Sequence, residues 1–234
     1  MEQNEHAHLL EVSHLCKQFG SGNTAVQALN DVSLTLDAGV FAAVTGESGS
    51  GKTTLLNVIG SLLVPDSGSI LVDGQEITKQ KDAELAVYRR RKIGFIFQNY
   101  NLIPVLTIEE NIVLPMNLDD AEPDYDYMNE LLRMTGLEEK RRCFPHELSG
   151  GQQQRAAFVR ALIHKPDIIL ADEPTGNLDS KNSSEIISIL KESVKTYHQA
   201  LLLITHDLSI AAQAGRLFRM KDGVLTEENG VQES

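Results

Sequence analysis

A glycine-rich segment of the chain combines the residue types and the spacing that bind phosphate groups. It fits the pattern G-x-x-x-x-G-K-[ST], and its residues are Gly46, Glu47, Ser48, Gly49, Ser50, Gly51, Lys52 and Thr53. The apolar run from Val40 to Val44 predicts a strand before it, and the apolar spacing from Thr54 to Leu63 predicts a helix after it. In that context, backbone N–H groups and the positive end of the helix dipole face an anion. We expect Lys52 to reach the β- and γ-phosphates of a nucleotide and the Thr53 hydroxyl to bind Mg²⁺.

Two adjacent carboxylates follow a second apolar run. Ile168 to Ala171 is typical of a buried strand, and Asp172 and Glu173 come directly after it. At the carboxyl end of a parallel strand, both side chains would face the crevice in which α/β sheets bind their ligands. We expect Asp172 to hold Mg²⁺, directly or through water, and Glu173 to polarise the water that attacks a γ-phosphate. The alternative is an acidic strand end without a catalytic role.

The pattern of apolar residues indicates the elements that position these groups. From about Leu9 to Val40, short runs alternate between apolar and polar residues, which predicts antiparallel strands. Continuously apolar runs predict parallel strands that are covered on both faces, and they span Ile93 to Phe97, Ile168 to Ala171 and Leu201 to Thr205. Asp73-Gly74 and Asp222-Gly223 predict the turns of two hairpins.

The stretch from Asn99 to about Arg160 has a different character. Its loops contain prolines, and a helix is predicted from Asp126 to Met134 with Gly136 at its end. We therefore expect a helical lobe that is inserted into the α/β core.

A second short motif opens another predicted helix in this lobe: Leu148, Ser149, Gly150, Gly151 and Gln152. The order of the phosphate loop, Gln98, this LSGGQ string, Asp172-Glu173, Leu178-Asp179 and His206 resembles the ATP-binding cassette (ABC) family from about Leu9 to Thr226. The LSGGQ string is highly specific to that family. The resemblance implies an α/β fold, namely a P-loop NTPase (RecA-like) core with an N-terminal antiparallel β subdomain and an inserted α-helical subdomain.

The same resemblance implies the domain organisation and the bound groups. One ABC ATPase domain is expected at residues 9–226, with the RecA-like core at about 9–98 and 161–226 and the helical lobe at about 99–160. Residues 1–8 and 227–234 are expected to be flexible ends. The chain is expected to bind ATP and Mg²⁺ and to hydrolyse ATP.

In such cassettes, two copies pair head to tail, and each ATP lies between the phosphate loop of one copy and the LSGGQ segment of the other. The resemblance therefore implies a dimer of this chain. It also implies a set of nucleotide-binding residues, which are Phe19, Val26, Gly46 to Gly51, Lys52, Thr53, Thr54, Gln98, Ser149, Gly150, Gly151, Gln152 and Asp179.

Individual roles carry over in the same way. The resemblance implies that Gln98 contacts Mg²⁺ or the attacking water, and that His206 touches the γ-phosphate and orients the water of Glu173. With Lys52 these residues make up the expected catalytic set, and Thr53, Gln98 and Asp172 the expected metal ligands. Phe19 occupies the position at which the family stacks an aromatic ring on adenine, and Val26 is expected to complete that surface. Asp179 is expected at the dimer interface.

Further segments resemble the MacB/LolD/FtsE branch of the family, among them Phe97 to Pro104 and Ala171 to Asp179. This implies an ATPase that powers an efflux-type transporter, exporting an antibiotic, peptide or lipid-like substrate through a separate transmembrane permease of FtsX/MacB type at the cytoplasmic face of the membrane. The alternative is an FtsE-like relay that acts on cell-wall machinery without transport. The loop after Gln98 is unusually apolar, which favours a contact with the membrane partner over packing inside the lobe.

Composition excludes some other classes. The formal net charge of −12 over 234 residues argues against a partner of nucleic acid, and with it against a soluble cassette of DNA repair, translation or cluster assembly. The basic runs at Arg89 to Lys92 and Lys140 to Arg142 are interpreted as a solvated helix end and a loop. Cys16 and Cys143 are expected to be free thiols. The polar start of the chain indicates no export signal.

Overall fold

The computed structural model describes residues 8–176, 178 and 180–228, with the side chains of residues 23, 180 and 181 left out. Asp179, which is expected at a dimer interface, and most of the two expected flexible ends lie outside the described residues. Glu227 and Glu228, which were expected in the flexible C-terminal end, instead belong to the last strand. Both residues pair with β9, and Arg216 Nε lies 2.7 Å from Glu227 Oε1.

Two sheets make up the β structure. A four-stranded antiparallel sheet has the order β2-β1-β4-β5, and its strands are β1 (Leu10–Phe19), β2 (Val26–Leu36), β4 (Ser67–Val72) and β5 (Gln75–Glu76). A six-stranded sheet has the order β10-β9-β3-β8-β7-β6, and its strands are β3 (Phe41–Thr45), β6 (Ile93–Ile96), β7 (Ile168–Asp172), β8 (Ala200–Ile204), β9 (Arg216–Lys221) and β10 (Val224–Glu228). All neighbours in the second sheet are parallel except β9 and β10. The predicted antiparallel region, parallel strands and hairpins are thus confirmed.

Seven α-helices are found among the described residues: α1 (Lys52–Ile59), α2 (Asp82–Lys92), α3 (Ile108–Asn117), α4 (Tyr125–Met134), α5 (Gly150–Leu162), α6 (Ser180–Tyr197) and α7 (Leu208–Ala211). In the part of the chain that the structure describes, none of them is both long and apolar enough to cross a bilayer.

The six-stranded sheet is buried on both faces because its strands alternate between two hydrophobic clusters. Ile168 and Leu170 of β7 point to the cluster that α1, α2 and the antiparallel sheet complete. Ile169 and Ala171 point to the cluster that contains residues of α3, α4, α5 and α6. Because successive residues of a strand point to opposite faces and both faces are covered, every residue from Ile168 to Ala171 is apolar. The lobe helices therefore pack directly on one face of the core sheet, and the boundary near residue 98 remains a prediction.

The basic run at the end of α2 is not merely solvated, in contrast to the expectation. Arg90 Nε lies 2.6 Å from Asp119 Oδ1, and Arg91 Nε lies 2.7 Å from Asp119 Oδ2. Asp119 follows α3, so these pairs join the core to the lobe. In the second basic run, Arg141 pairs with Glu109. Cys16 and Cys143 are free thiols, as predicted.

Candidate active site

The phosphate loop connects the end of β3 to the start of α1, as predicted. Its path requires glycine at two positions. Gly46 and Gly51 have φ angles of 151° and 110°. A Cβ atom would lie 2.2 Å from the Met220 carbonyl oxygen at Gly46 and 2.1 Å from the Ala28 carbonyl oxygen at Gly51. The loop is therefore held tightly against β9 and β2, and a side chain at either glycine would displace it.

Lys52 lies at the centre of this loop. Its Nζ donates to the carbonyl oxygens of Gly46 and Glu47, at 2.8 and 2.6 Å, and lies 3.4 Å from Ser50 Oγ. Only 9% of Lys52 is exposed, so its ammonium is a fixed charge inside the turn. Because Gly51 provides no side-chain cap for α1, the N–H groups of the first turn face the same space. This set of donors fits a polyphosphate.

A hydroxyl and a carboxylate meet beside the loop. Thr53 Oγ1 donates to Asp172 Oδ2 at 2.8 Å, although the two residues are 119 positions apart. Burial raises the pKa of Asp172 above its usual range, and the neighbouring charge of Glu173 raises it further, while Thr53 and Lys52 oppose the shift. A bound cation would stabilise the ionised carboxylate of Asp172 and so offset both its burial and the repulsion from Glu173. Two hard oxygen ligands at a partly buried site fit Mg²⁺.

Glu173 occupies a conformation that is rare for its residue type. It has a φ angle of 47°, and its backbone N–H donates to the Ile204 carbonyl oxygen at 3.1 Å. Its Oε2 lies 2.6 Å from Nδ1 of His206, which follows β8 by two positions. Left-handed backbone at a non-glycine residue persists only where surrounding contacts impose it, and such residues cluster at functional sites. The geometry presents a carboxylate whose orientation is fixed by an imidazole.

Gln98 lies on the neighbouring strand end. It follows β6 by two positions, and Ile96 pairs with Ala171 in the register between β6 and β7. Since Glu173 also follows Ala171 by two positions, the Gln98 amide and the Glu173 carboxylate belong to the same edge of the sheet. The side chain of Gln98 is exposed there. Of the expected catalytic residues, Gln98, Glu173 and His206 thus lie at the carboxyl ends of the neighbouring strands β6, β7 and β8, and Lys52 begins α1 after the loop that follows β3.

The LSGGQ segment forms the start of α5, as predicted. Ser149 Oγ accepts from the backbone N–H of Gln152 at 3.3 Å, and Gln152 Oε1 accepts from the N–H of Ser149 at 2.9 Å. This reciprocal capping box leaves the N–H groups of Gly150 and Gly151 at the helix start. Gly150 is exposed, so these donors can meet an anion from outside.

An exposed apolar pair lies at the end of the antiparallel sheet. Phe19 and Val26 are opposite each other on β1 and β2, and they are 42% and 60% exposed. Two large apolar side chains side by side on the surface give a flat area that fits a purine ring.

The loop after Gln98 is held by a residue that the sequence analysis missed. Asn111 of α3 is fully buried; its Oδ1 accepts from the N–H of Ile103 at 2.7 Å, and its Nδ2 lies 2.9 Å from the Thr107 carbonyl oxygen. The sequence did contain a sign of this role, because Asn111 is a polar residue on the same buried face of α3 as the apolar residues Ile108 and Ile112. Of the apolar loop residues, Val105 is 79% exposed, whereas Leu102 packs against the core.

The comparisons with known proteins identify the family. The model of the ABC transporter family matches residues 29–176. The chain is 44% identical over 224 residues to the ABC transporter ATP-binding protein YxdL of Bacillus subtilis, covering 95% of this chain and 87% of YxdL. The chain belongs to the ABC transporter family. It is the ATP-binding ATPase component of a transporter, and the recognition of this family in the sequence is confirmed.

Further relatives agree with this assignment. The macrolide export ATP-binding/permease protein MacB of Bdellovibrio bacteriovorus is 42% identical over 224 residues, which are 96% of this chain and 34% of that protein. Two structures of the cassette MJ0796 each have a TM-score of 0.89 and 38% identity, covering 96% of this chain and 100% of theirs. One is a dimeric bacterial ABC transporter cassette, and the other is a dimer in a post-hydrolysis state with ADP and Pi. The predicted fold class is thereby confirmed.

Proposed function

We propose that this ATPase powers an efflux-type transporter through a separate membrane permease of FtsX/MacB type. The observation that carries the proposal is the 42% identity to the ATP-binding part of an export protein, over 96% of this chain. The relation to YxdL, of which the chain covers 87%, supports a permease on another polypeptide. The protein would act at the cytoplasmic face of the membrane through that partner, and its substrate would be an antibiotic, a peptide or a lipid-like molecule.

In this proposal, the residues of the phosphate loop bind and orient the triphosphate of ATP. Lys52 exchanges its contacts to the Gly46 and Glu47 carbonyls for phosphate oxygens, which are stronger acceptors. Thr53, Asp172 and Gln98 would hold Mg²⁺, which would neutralise phosphate charge. Glu173 accepts a proton from the attacking water, while His206 holds the carboxylate in place.

The working unit in this proposal is a head-to-tail dimer. The N–H groups of Gly150 and Gly151, at the start of α5, bind the γ-phosphate of the ATP that lies on the partner's phosphate loop. By the family resemblance alone, the proposal also assigns Asp179 to that interface. The two dimeric MJ0796 structures and the exposure of Gly150 support this arrangement. Loss of the γ-phosphate removes a contact that both copies share, and the dimer then opens.

The permease would bind the lobe beside the loop that follows Gln98. Val105 is the most exposed apolar residue of this loop. Asn101 of the same loop lines a largely apolar cavity of about 440 Å³, together with Phe95, Phe97 and Leu118. Exposed apolar surface on this segment favours an interface.

The test is coexpression with a candidate four-helix permease of FtsX/MacB type. The proposal predicts a stable complex whose ATPase rate exceeds that of the isolated chain and rises further with an export substrate. Val105→Asp should weaken the complex, whereas Val64→Asp, at another exposed valine, should not. A complex that hydrolyses ATP but ignores every export substrate would favour the FtsE-like relay. Recovery of the chain alone, with no membrane partner, would contradict both.

A further inference from the structure

Arg160 of helix α5, which begins with the LSGGQ segment, binds the loop that follows Gln98. Arg160, near the end of α5, donates from Nη1 to the Asn101 carbonyl oxygen at 2.6 Å and from Nη2 to the Tyr100 carbonyl oxygen at 2.9 Å. A planar guanidinium that binds two successive carbonyls fixes both the position and the orientation of the loop. The sequence separation of 59 and 60 residues makes this a contact between distant segments.

The same two loop residues have unusual backbone conformations. Tyr100 and Asn101 have φ angles of 24° and 50°, in the left-handed region that bulky residues rarely adopt. Their carbonyls are the groups that Arg160 binds. The guanidinium therefore stabilises a turn that the sequence alone would not favour.

The side chain of Tyr100 reaches the opposite end of α5. A Cβ atom at Gly150 would lie 2.8 Å from the Tyr100 hydroxyl oxygen and 3.7 Å from the ring carbon Cζ. The phenol thus occupies the space that the missing side chain of Gly150 leaves. Gly150 is the first residue of α5 and belongs to the LSGGQ motif. The loop consequently contacts α5 at both ends, through Arg160 at one and Tyr100 at the other.

We propose that Tyr100 and Arg160 are positioning residues that hold the LSGGQ turn in a fixed place relative to Gln98. The loop at residues 98–101 and helix α5 then move as one unit, so a displacement at Gln98 is transmitted to Gly150. Neither residue is catalytic, because neither touches the phosphate loop or the Glu173–His206 pair in the contacts described above. The inference rests on the proposed ATP-sandwich dimer, in which Gly150 binds the partner's nucleotide.

The test uses the Glu173→Gln chain as a hydrolysis-deficient parent, with Tyr100→Ala and Arg160→Gln added singly. Tyr125→Phe, at an exposed tyrosine of the same lobe, is the control. We expect each added substitution to weaken ATP-dependent dimerisation by about 2- to 30-fold, the usual range for mutations along a coupling network. The affinity of the monomer for ATP should stay within about twofold, because the phosphate loop is untouched.

A second measurement is independent of the dimer. Hydrogen exchange of the amides in residues 149–152 should accelerate in both variants, while that of residues 46–54 should not change. Tyr100→Phe removes one oxygen atom and keeps the fold, and it should give an intermediate increase at residues 149–152.

The outcomes separate the two proposals. A parent that stays monomeric with saturating Mg·ATP overturns the dimer, while the exchange data still test the link between Tyr100 and Gly150. A parent that dimerises together with variants that match it in dimerisation and exchange overturns the positioning role. A parallel loss of ATP affinity and dimerisation also overturns it, because that pattern indicates general destabilisation.

Discussion

Replacing Glu173 with Gln should nearly abolish ATP hydrolysis while leaving ATP binding intact. Glutamine has almost the same shape as glutamate, so it can keep both the contact with His206, now 2.6 Å, and the backbone at φ 47°. What it loses is the ability to accept a proton from water. A positioned general base contributes roughly 10²- to 10⁴-fold. At 1.36 kcal/mol per factor of ten, this corresponds to about 2.7 to 5.4 kcal/mol of barrier.

The substitution should not weaken the nucleotide site itself. Lys52 and Thr53 make no contact through Glu173, since Lys52 binds carbonyls of its own loop and Thr53 binds Asp172. Removing the charge of Glu173 also removes one cause of the raised pKa of Asp172, so that carboxylate should ionise more easily and hold a cation at least as well. The variant should therefore accumulate as an ATP-bound dimer.

The assay measures phosphate release at saturating Mg·ATP together with sedimentation of the nucleotide-bound protein. Glu185→Gln, at an exposed glutamate of α6, is the matched control and should behave like the unmodified chain. A Glu173→Gln variant that hydrolyses ATP within about threefold of the normal rate would refute the assignment of the base, because a lost base costs far more.

Three further substitutions test other parts of the site. Lys52→Ala removes an ammonium group with three described contacts. A hydrogen bond to a charged group contributes about 1.5 to 3 kcal/mol. The affinity for ATP, measured by titration, should therefore fall about 10- to 150-fold. Phe19→Ala should raise the KM for ATP about 2- to 10-fold with little change in kcat, because it removes an aromatic contact worth about 0.5 to 1.5 kcal/mol. Asp172→Asn should raise the Tm at neutral pH and abolish Mg²⁺-dependent hydrolysis. The pKa of Asp172 is raised in the folded protein, so ionisation of this carboxyl group destabilises the fold. The stability of the unmodified chain should therefore fall as the pH rises through that folded pKa. Melting curves of the Asn variant should lack this decline.

Much of the fold could be predicted because the pattern and the structure obey the same periodicity. The continuous apolar run from Ile168 to Ala171 predicted a strand covered on both faces, and its residues do alternate between the two clusters. The LSGGQ string predicted the start of a helix, and Ser149 and Gln152 form the capping box of α5. Both features depend on residues that are close together in the sequence, so the sequence of this one chain is enough to predict them.

Contacts between distant residues could not be predicted in this way. The salt bridges of Arg90 and Arg91 to Asp119 span 29 and 28 residues, and nothing local in the basic run indicates them. Glutamate has no preference for a left-handed backbone, so the conformation of Glu173 follows from its surroundings alone. The same holds for the contact of Arg160 with Tyr100, which requires α5 and the loop to be packed together first.

The two strained non-glycine turns at this edge of the sheet suggest how ATP chemistry and lobe movement are linked. Glu173 follows β7 directly and Tyr100 lies four residues after β6, and these strands are neighbours with Ile96 opposite Ala171. Each turn is held from another part of the chain: the Ile204 carbonyl binds the Glu173 amide, and Arg160 binds the Tyr100 carbonyl. Such conformations persist only while these contacts hold them. A displacement of α5 would therefore carry the turn with it through Arg160 and move the residues beside Gln98, one strand away from Glu173, without any change in the core of the sheet.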